Sequence, residues 1–322
     1  MAATDKGLLY EGAFGMRALD QSAAMTLDTV FRIASMTKAI TSVAAMQLVE
    51  QGKLKLEEAV PNIDPALGSP QVLDGFDASG APQLRPAKRP IALRHLLTHT
   101  AGFTYDIWDA NTGRYAKAAS MPARATGKVA SIRTALAFDP GEKWSYGVNT
   151  DWVGRLVEAT SEQPFEASPP PVAPEFWSGG GPLYSTARDY LTFVQMLLNG
   201  GSFNGARVLK PETVALMAQN HTGNIPCGIM KTQNPGLSND VDLFPGAEIR
   251  WALGYMLNMQ SGPNGRSAGT VSWGGIFNTS YWIDPAKRVT GLIMTQILPF
   301  ADQRALKLYG QFERGVYDSM KS

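Results

Sequence analysis

The sequence predicts an α/β protein of the α+β kind, in which one antiparallel β-sheet is flanked by helices and a mainly helical domain is inserted beside it. Three observations predict this. The chain opens with a strand followed by a helix; its middle is cut by proline and glycine into helical pieces; after Arg250, β-rich runs alternate with turn residues before a closing helix. On this reading residues 1–55 and 240–322 form the α/β domain, and residues 56–239 form the helical one. A cleft between two such parts is a usual place for a small-molecule site.

Leu8 to Gly15 reads as a strand entering a glycine turn. SMTKAITSVAAMQLVEQG, residues 35–52, then runs as a helix with Ile40, Val43 and Leu48 on its apolar face and stops at Gly52. Between Pro61 and Gly127, proline, glycine and alanine break the pattern, so loops and short helices are expected rather than sheet, with one helical piece at IALRHLLTH. Helices follow at Asp151–Thr160, at Thr186–Asn199, where Thr186 and Asp189 suit a capping box, and at Pro211–Asn220. RWALGYMLNM, GTVSWGG, NTSYWID and RVTGLIMTQI are spaced as antiparallel strands. Asp302–Met320 closes the chain as a helix with Leu306, Tyr309, Phe312, Val316 and Met320 on about one face.

Composition narrows the function. A hydrophobic share of 44% over 322 residues describes a folded globular chain. Lys and Arg number 29 against 28 Asp and Glu, with no like-charge block, so nucleic acid is not expected as a partner. Cys227 is the single cysteine, and His95, His99 and His221 lack zinc-site spacing, so neither a disulfide nor a metal or other cofactor is expected. The longest apolar stretch, Ile40–Val49, is interrupted by Thr41, Ser42 and Gln47 and falls well short of the roughly 20 residues of a membrane span. MAATDKGLLYEG has no basic-then-apolar signal pattern, so a cytoplasmic location is expected. Oligomeric state is left open by these features.

Ser35 and Lys38 stand three apart at the start of the first helix and so project from one side of it, which lets the lysine nitrogen reach the hydroxyl. A serine hydroxyl needs a base at neutral pH, and a lysine can act as one where burial or a neighbouring cation depresses its pKa. Free N–H groups at the helix start would in addition stabilise an oxyanion. Alone, the tetrad also describes an ordinary solvated helix end. It does not stand alone. PGEKWSYGVN places Tyr146 between a Pro-Gly turn and the next helix, and GTVSWGGIFNTSYW places Trp273, Gly274 and Gly275 in a strand.

With these motifs in this order the chain resembles the serine β-lactamase and penicillin-binding protein superfamily, most closely its class C β-lactamase-like branch, which includes the family VIII carboxylesterases. FRIASMTKAITSVAAMQLVEQGKL, LRHLLTHTAGF, PGEKWSY, SGGGPLYSTARDY and SWGG all look like that branch. The resemblance implies a β-lactamase/transpeptidase-like fold and an acyl-enzyme on Ser35, with Lys38 and Tyr146 sharing general-base work. It implies an oxyanion hole made by the N–H groups of Ser35 and Ile276, and a substrate-facing strand at Trp273, Gly274 and Gly275. Two departures matter. Lactamases of this branch carry Lys-Thr-Gly where this chain has Trp-Gly-Gly, which removes a carboxylate-binding cation and points to a serine carboxylesterase for uncharged, short-chain esters; a β-lactamase, a D-alanyl-D-alanine peptidase or an acyltransferase on the same scaffold, or a catalytically dead penicillin-recognising module, are the alternatives. The family's Tyr-x-Asn is stretched, with Asn149 one position late, so Asn149 is either a displaced substrate contact or a helix cap. Relatives also have more residues between SEQPFE and PEFWSGGG.

Rival motifs give weaker readings. Gly265-Arg266-Ser267-Ala268-Gly269 matches the nucleophile elbow, but that elbow joins a strand to a helix, whereas SGPNGRSAG leads into the strand TVSW, making Ser267 a turn residue. Ser178–Gly181 lacks the ending of a phosphate loop and suits a tight backbone approach. His95 and His99 find no acidic or ligand partner and read as structural. The tryptophans read mainly as core, with a few free to line an aromatic acyl or alcohol site.

Overall fold

The computed structural model describes residues 1–20, 22–161 and 175–321. The first half of the chain runs β1 (Ala2–Thr4), β2 (Gly7–Tyr10), β3 (Val30–Arg32), α1 (Thr37–Glu50), β4 (Gln71–Phe76), β5 (Pro82–Pro86), α2 (Leu93–Leu97), α3 (Ala110–Ala118) and α4 (Asn149–Ser161). There follow β6 (Tyr184–Thr186), α5 (Ala187–Leu198), β7 (Ser202–Phe203), β8 (Ala206–Arg207) and α6 (Pro211–Met217). The last part is β9 (Ile249–Trp251), β10 (Met256–Asn258), β11 (Val271–Gly275), β12 (Thr279–Asp284), β13 (Val289–Ile293) and α7 (Gln303–Ser319).

Seven strands make one antiparallel sheet in the order β2-β1-β13-β12-β11-β10-β9, so both chain ends share it, as the motif order predicts. The register sets Trp282 opposite Gly291, and only a glycine fits there: a Cβ at 291 would lie 2.2 Å from the indole. On that face Trp282 meets Tyr309, Phe312 and Tyr317 of α7 edge-on or tilted, which seats the closing helix. On the other, α5 packs against β1, β12 and β13. This helix comes from within residues 56–239, so that stretch also supplies part of the cover of the sheet.

Helix α1 is preceded by a 3-10 turn over Ala34–Met36 and is buried on most sides. Small residues such as Ala39, Ser42 and Ala45 let its neighbours approach, and α4 packs along it. The turn at Gly254 presses on it so closely that a Cβ there would lie 2.3 Å from Ser42 Oγ. Thr186 caps α5 by accepting from the Asp189 N–H, and Asp302 caps α7 through the N–H groups of Arg304 and Ala305.

Several elements differ from expectation. The stretch after Pro61 contains a hairpin, β4–β5, whose prolines and bulge at Asp74 hide its alternation; in a two-stranded ribbon both strands are edges, where proline is tolerated. β1 and the β3–β6 pair, three residues each, are too short to show a period. RWALGYMLNM is two strands joined by a turn at Gly254. Most of ASPPPVAPEF and of the short stretch after SEQPFE lies outside the described residues.

The G-x-S-x-G stretch lies in the loop between antiparallel neighbours β10 and β11. Its Arg266 is buried with Glu313 of α7 in an ion pair that leaves the two side chains 0% and 3% exposed. Arg266 also donates to Asn258, Ser272 and Tyr309, while Asn264 donates to Glu313. Removing one partner strands the other charge without water, so Glu313→Ala should lower stability by about 3 to 5 kcal/mol. The double replacement Arg266→Met with Glu313→Leu should recover most of that loss, as read by urea denaturation.

Candidate active site

The 3-10 turn delivers Ser35 to the base of a cleft of about 480 Å³ that runs between the end of β11 and the start of α4. Ala34, just before it, holds φ at +46°, a left-handed conformation that costs a non-glycine residue roughly 1 to 3 kcal/mol and that surrounding packing must enforce. One turn on, Lys38 is 1% exposed. Its Nζ donates to Ser35 Oγ at 3.2 Å and to the Gly180 carbonyl at 2.6 Å. It also lies 4.9 Å from the ring centre of Tyr146 and 5.6 Å from that of Tyr105. Burial by itself pulls the ammonium's pKa down, but Tyr105, Tyr146 and the Asp151 carboxylate outweigh it, and the pKa is raised. The surroundings of Lys38 thus favour its charged form.

Tyr146 is buried among His99, Tyr105, Trp108, Trp251 and Trp273, with ring centres 4.7 to 6.2 Å away. Its hydroxyl accepts from the Trp273 indole N–H at 3.0 Å. Trp273 thus spends its donor on Tyr146, and the cleft receives mainly its apolar face. The following glycines set the approach of the strand to the serine. A Cβ on Gly275 would lie 2.5 Å from the Ile33 carbonyl and 3.2 Å from Ala34 Cβ, so only glycine lets β11 close against the turn that carries Ser35. Ile276, the next residue, lines the same cleft as Ser35, Tyr146, Trp273 and Gly274.

The structure adds residues that sequence reasoning missed. Tyr105, Asp151 and Gly180 line the cleft near Lys38, and Arg32 and Arg124 bring cations to its wall. Arg124 pairs with Asp106 at 3.1 Å, whereas Arg32 is exposed and stacks 5.6 Å from the Phe277 ring. A cleft without the family lysine therefore still carries positive charge, although not at Trp273. Trp108 and Trp177 line it as well, while Trp282 is core. A local signal existed only for the Ser178–Gly181 stretch, whose tight approach is real: a Cβ on Gly179 would lie 2.4 Å from the Thr150 carbonyl.

Asn149 is a correction. It is fully buried at the start of α4, and its amide donates to His99 Nδ1 at 3.0 Å and to the Phe103 carbonyl at 3.3 Å. Asn149 is thus not among the residues that line the cleft. His99 is kept neutral, its pKa pushed well down by burial and then by Lys38. His95 accepts from the Ala92 N–H, and His221 meets the Leu216 carbonyl. Ser267 is tied by its N–H to Asp284 in its loop, remote from Lys38. Among the described residues no cluster of His, Cys, Asp and Glu is placed to hold a metal, and no helix is long and apolar enough to cross a membrane.

A seven-stranded antiparallel sheet beside a buried Ser-x-x-Lys helix defines the β-lactamase/transpeptidase-like fold. The Beta-lactamase family model matches residues 1–168 and 167–314, and the chain belongs to that family. It is 27% identical to the ML-236A carboxylate methylbutanoyltransferase mlcH of Penicillium citrinum, over 97% of this chain and 87% of that protein. It is 26% identical to the lovastatin esterase of Penicillium rubens, over 96% of this chain and 90% of that one. Among solved structures, the LovD9 mutant of simvastatin synthase (LovD) from Aspergillus terreus superposes with a TM-score of 0.82 at 26% identity, covering 100% of this chain and 93% of that one. Relatives of this chain thus include both acyltransferases and hydrolases.

Two substitutions separate the roles of these side chains. Asn149→Ala strips a donor from His99 and Phe103 and should cost about 1 to 3 kcal/mol of stability with KM for esters unchanged. Trp273→Phe loses one hydrogen bond to Tyr146 and should lower kcat by about 2- to 12-fold with little change in melting temperature.

Proposed function

We propose that the protein is a serine carboxylesterase that hydrolyses short-chain, uncharged carboxylic esters through an acyl-enzyme on Ser35. The observation that carries this reading is the 3.2 Å hydrogen bond from a buried Lys38 to Ser35 Oγ in a cleft that also holds Tyr146. Ser35 Oγ attacks the ester carbonyl and its proton passes to the Lys38–Tyr146 pair, with the tyrosine oxygen as acceptor beside the lysine cation. The tetrahedral oxyanion is held by the N–H groups of Ser35 and Ile276. Collapse breaks the ester C–O bond, and the departing alkoxide takes the proton from the pair as alcohol. Water then repeats the sequence on the acyl-serine, releasing the acid and restoring the hydroxyl.

The absence of a lysine at position 273 argues for uncharged esters over β-lactams, since a charge-assisted hydrogen bond to a carboxylate is worth about 1.5 to 3 kcal/mol, roughly 10- to 150-fold. A second reading, transfer of the acyl group to an alcohol, is favoured by the similarity to mlcH and simvastatin synthase. The apolar, aromatic cleft wall would hold an organic acceptor in place of water. The two share every step up to the acyl-enzyme.

Ser35→Ala should abolish p-nitrophenyl butyrate hydrolysis and fluorophosphonate labelling, while Ser267→Ala keeps both; an adduct mapped to Ser267 would overturn the assignment. Lys38→Ala and Tyr146→Phe should each cut turnover by at least about 100-fold. The ratio of kcat/KM for p-nitrophenyl butyrate to that for nitrocefin should exceed about 10, and equal values would replace the esterase by a lactamase. Added alcohols that raise p-nitrophenol release and appear as new esters would establish transfer.

A further inference from the structure

Asp151 and the glycine stretch before β6 take no part in the steps above, yet they lie against the lysine that does. Asp151 stands in the first turn of α4, five residues after Tyr146, and is 4% exposed. Its Oδ1 accepts from the Gly180 N–H at 3.2 Å and from the Ser178 hydroxyl. The carbonyl of the same Gly180 accepts from Lys38 Nζ at 2.6 Å. A Cβ on Gly180 would lie 3.0 Å from both carboxylate oxygens, so a side chain there would press Asp151 out of place. The chain of contacts therefore runs from carboxylate to glycine backbone to ammonium to Ser35 Oγ, and joins α4, the glycine stretch and α1. A buried carboxylate that no lysine or arginine engages directly costs stability, so a role in the site accounts for it better than a role in the fold.

We propose that Asp151 is a positioning residue for Lys38: it anchors the Gly180 backbone that holds the ammonium against Ser35, and its negative charge offsets the ammonium in the closed cleft. The proposal rests on the acyl-serine reading of the site. Lys38 is faced by Ser35 and Gly180, by His99 and Tyr105 from the stretch between α2 and α4, and by Tyr146 and Asp151, while Arg124 lies against Tyr105 and interacts with Asp151. Among these, Asp151 is the one carboxyl side chain. The competent state has lost one proton from the coupled Lys38–Tyr146 pair. A nearby negative charge favours the pair before that loss, so removing the charge lets the proton leave at lower pH.

The test compares Asp151→Asn, Asp151→Glu and Asp151→Ala with the native protein. Asparagine keeps an oxygen for the Gly180 N–H but no charge, and should move the rising limb of the kcat/KM–pH profile toward acid by about 1 pH unit. Glutamate keeps the charge and should leave the limb near its native place. Alanine loses the anchor as well and should lower kcat by about 10- to 100-fold with KM little changed. A lower melting temperature with the limb unmoved in both Asn and Ala variants would make Asp151 merely structural and overturn the proposal. If the alanine protein does not fold, the asparagine profile decides. Peptide mapping after fluorophosphonate treatment runs alongside. A native protein not labelled at Ser35 would sink the reading beneath, while labelling at Ser35 with an unmoved limb would refute only the role of Asp151.

Discussion

The buried ammonium of Lys38 organises the candidate site. The ammonium of Lys38 sits where water does not reach, and an ion in that position is tolerated only if its donors are filled and its charge is offset. One donor goes to Ser35 Oγ and one to the Gly180 carbonyl; the faces of Tyr105 and Tyr146 and the charge of Asp151 supply the rest. Meeting these needs brings α1, α4, the loop around Tyr105, the Tyr146 turn and the Ser178–Gly181 stretch together. The same geometry brings Ser35 and Tyr146 into the lining of one cleft.

Close backbone approach is the second requirement. The site is assembled at points where one stretch of chain lies directly against another: β11 against the turn before α1, the Gly254 turn against Ser42, and Gly179 against Thr150. Each contact falls on a glycine because a Cβ would collide with a carbonyl or side chain already in place. A rigid frame of this kind supports the left-handed Ala34, whose strain orients the serine toward the cleft.

Trp273 shapes the cleft through more than its lack of charge. The indole N–H is committed to the Tyr146 hydroxyl, so tryptophan takes over a fixing contact while turning an apolar face to the cleft. Positive charge is displaced to Arg32 and Arg124 on the cleft wall. Such a site separates apolar recognition near the serine from any electrostatic recognition farther out. On the proposed acyl-serine route, water and an alcohol would compete for the acyl group, and the balance between hydrolysis and transfer would depend on how well the aromatic wall holds an organic acceptor.

The sequence by itself determined whatever depends on short spacing. The Ser35-x-x-Lys38 pair was legible because three residues along a helix bring side chains together wherever that helix lies. The strands β11 to β13 and the helix α7 were legible from period, and α5 from its capping residues, and the order of motifs suggested that both chain ends share one sheet. The β4–β5 hairpin and β1 were not, because proline, a bulge or a length of three residues erases the alternation that marks a strand. The displacement of Asn149 could be read as a spacing anomaly, but its burial against His99 and Phe103 could not. Only the tertiary structure decided what surrounds Lys38. Gly180 lies 142 residues from it in the chain, and Trp273 lies 127 from Tyr146. No local pattern records such contacts, because the packing of separate elements, not the spacing along any one of them, sets which side chains meet.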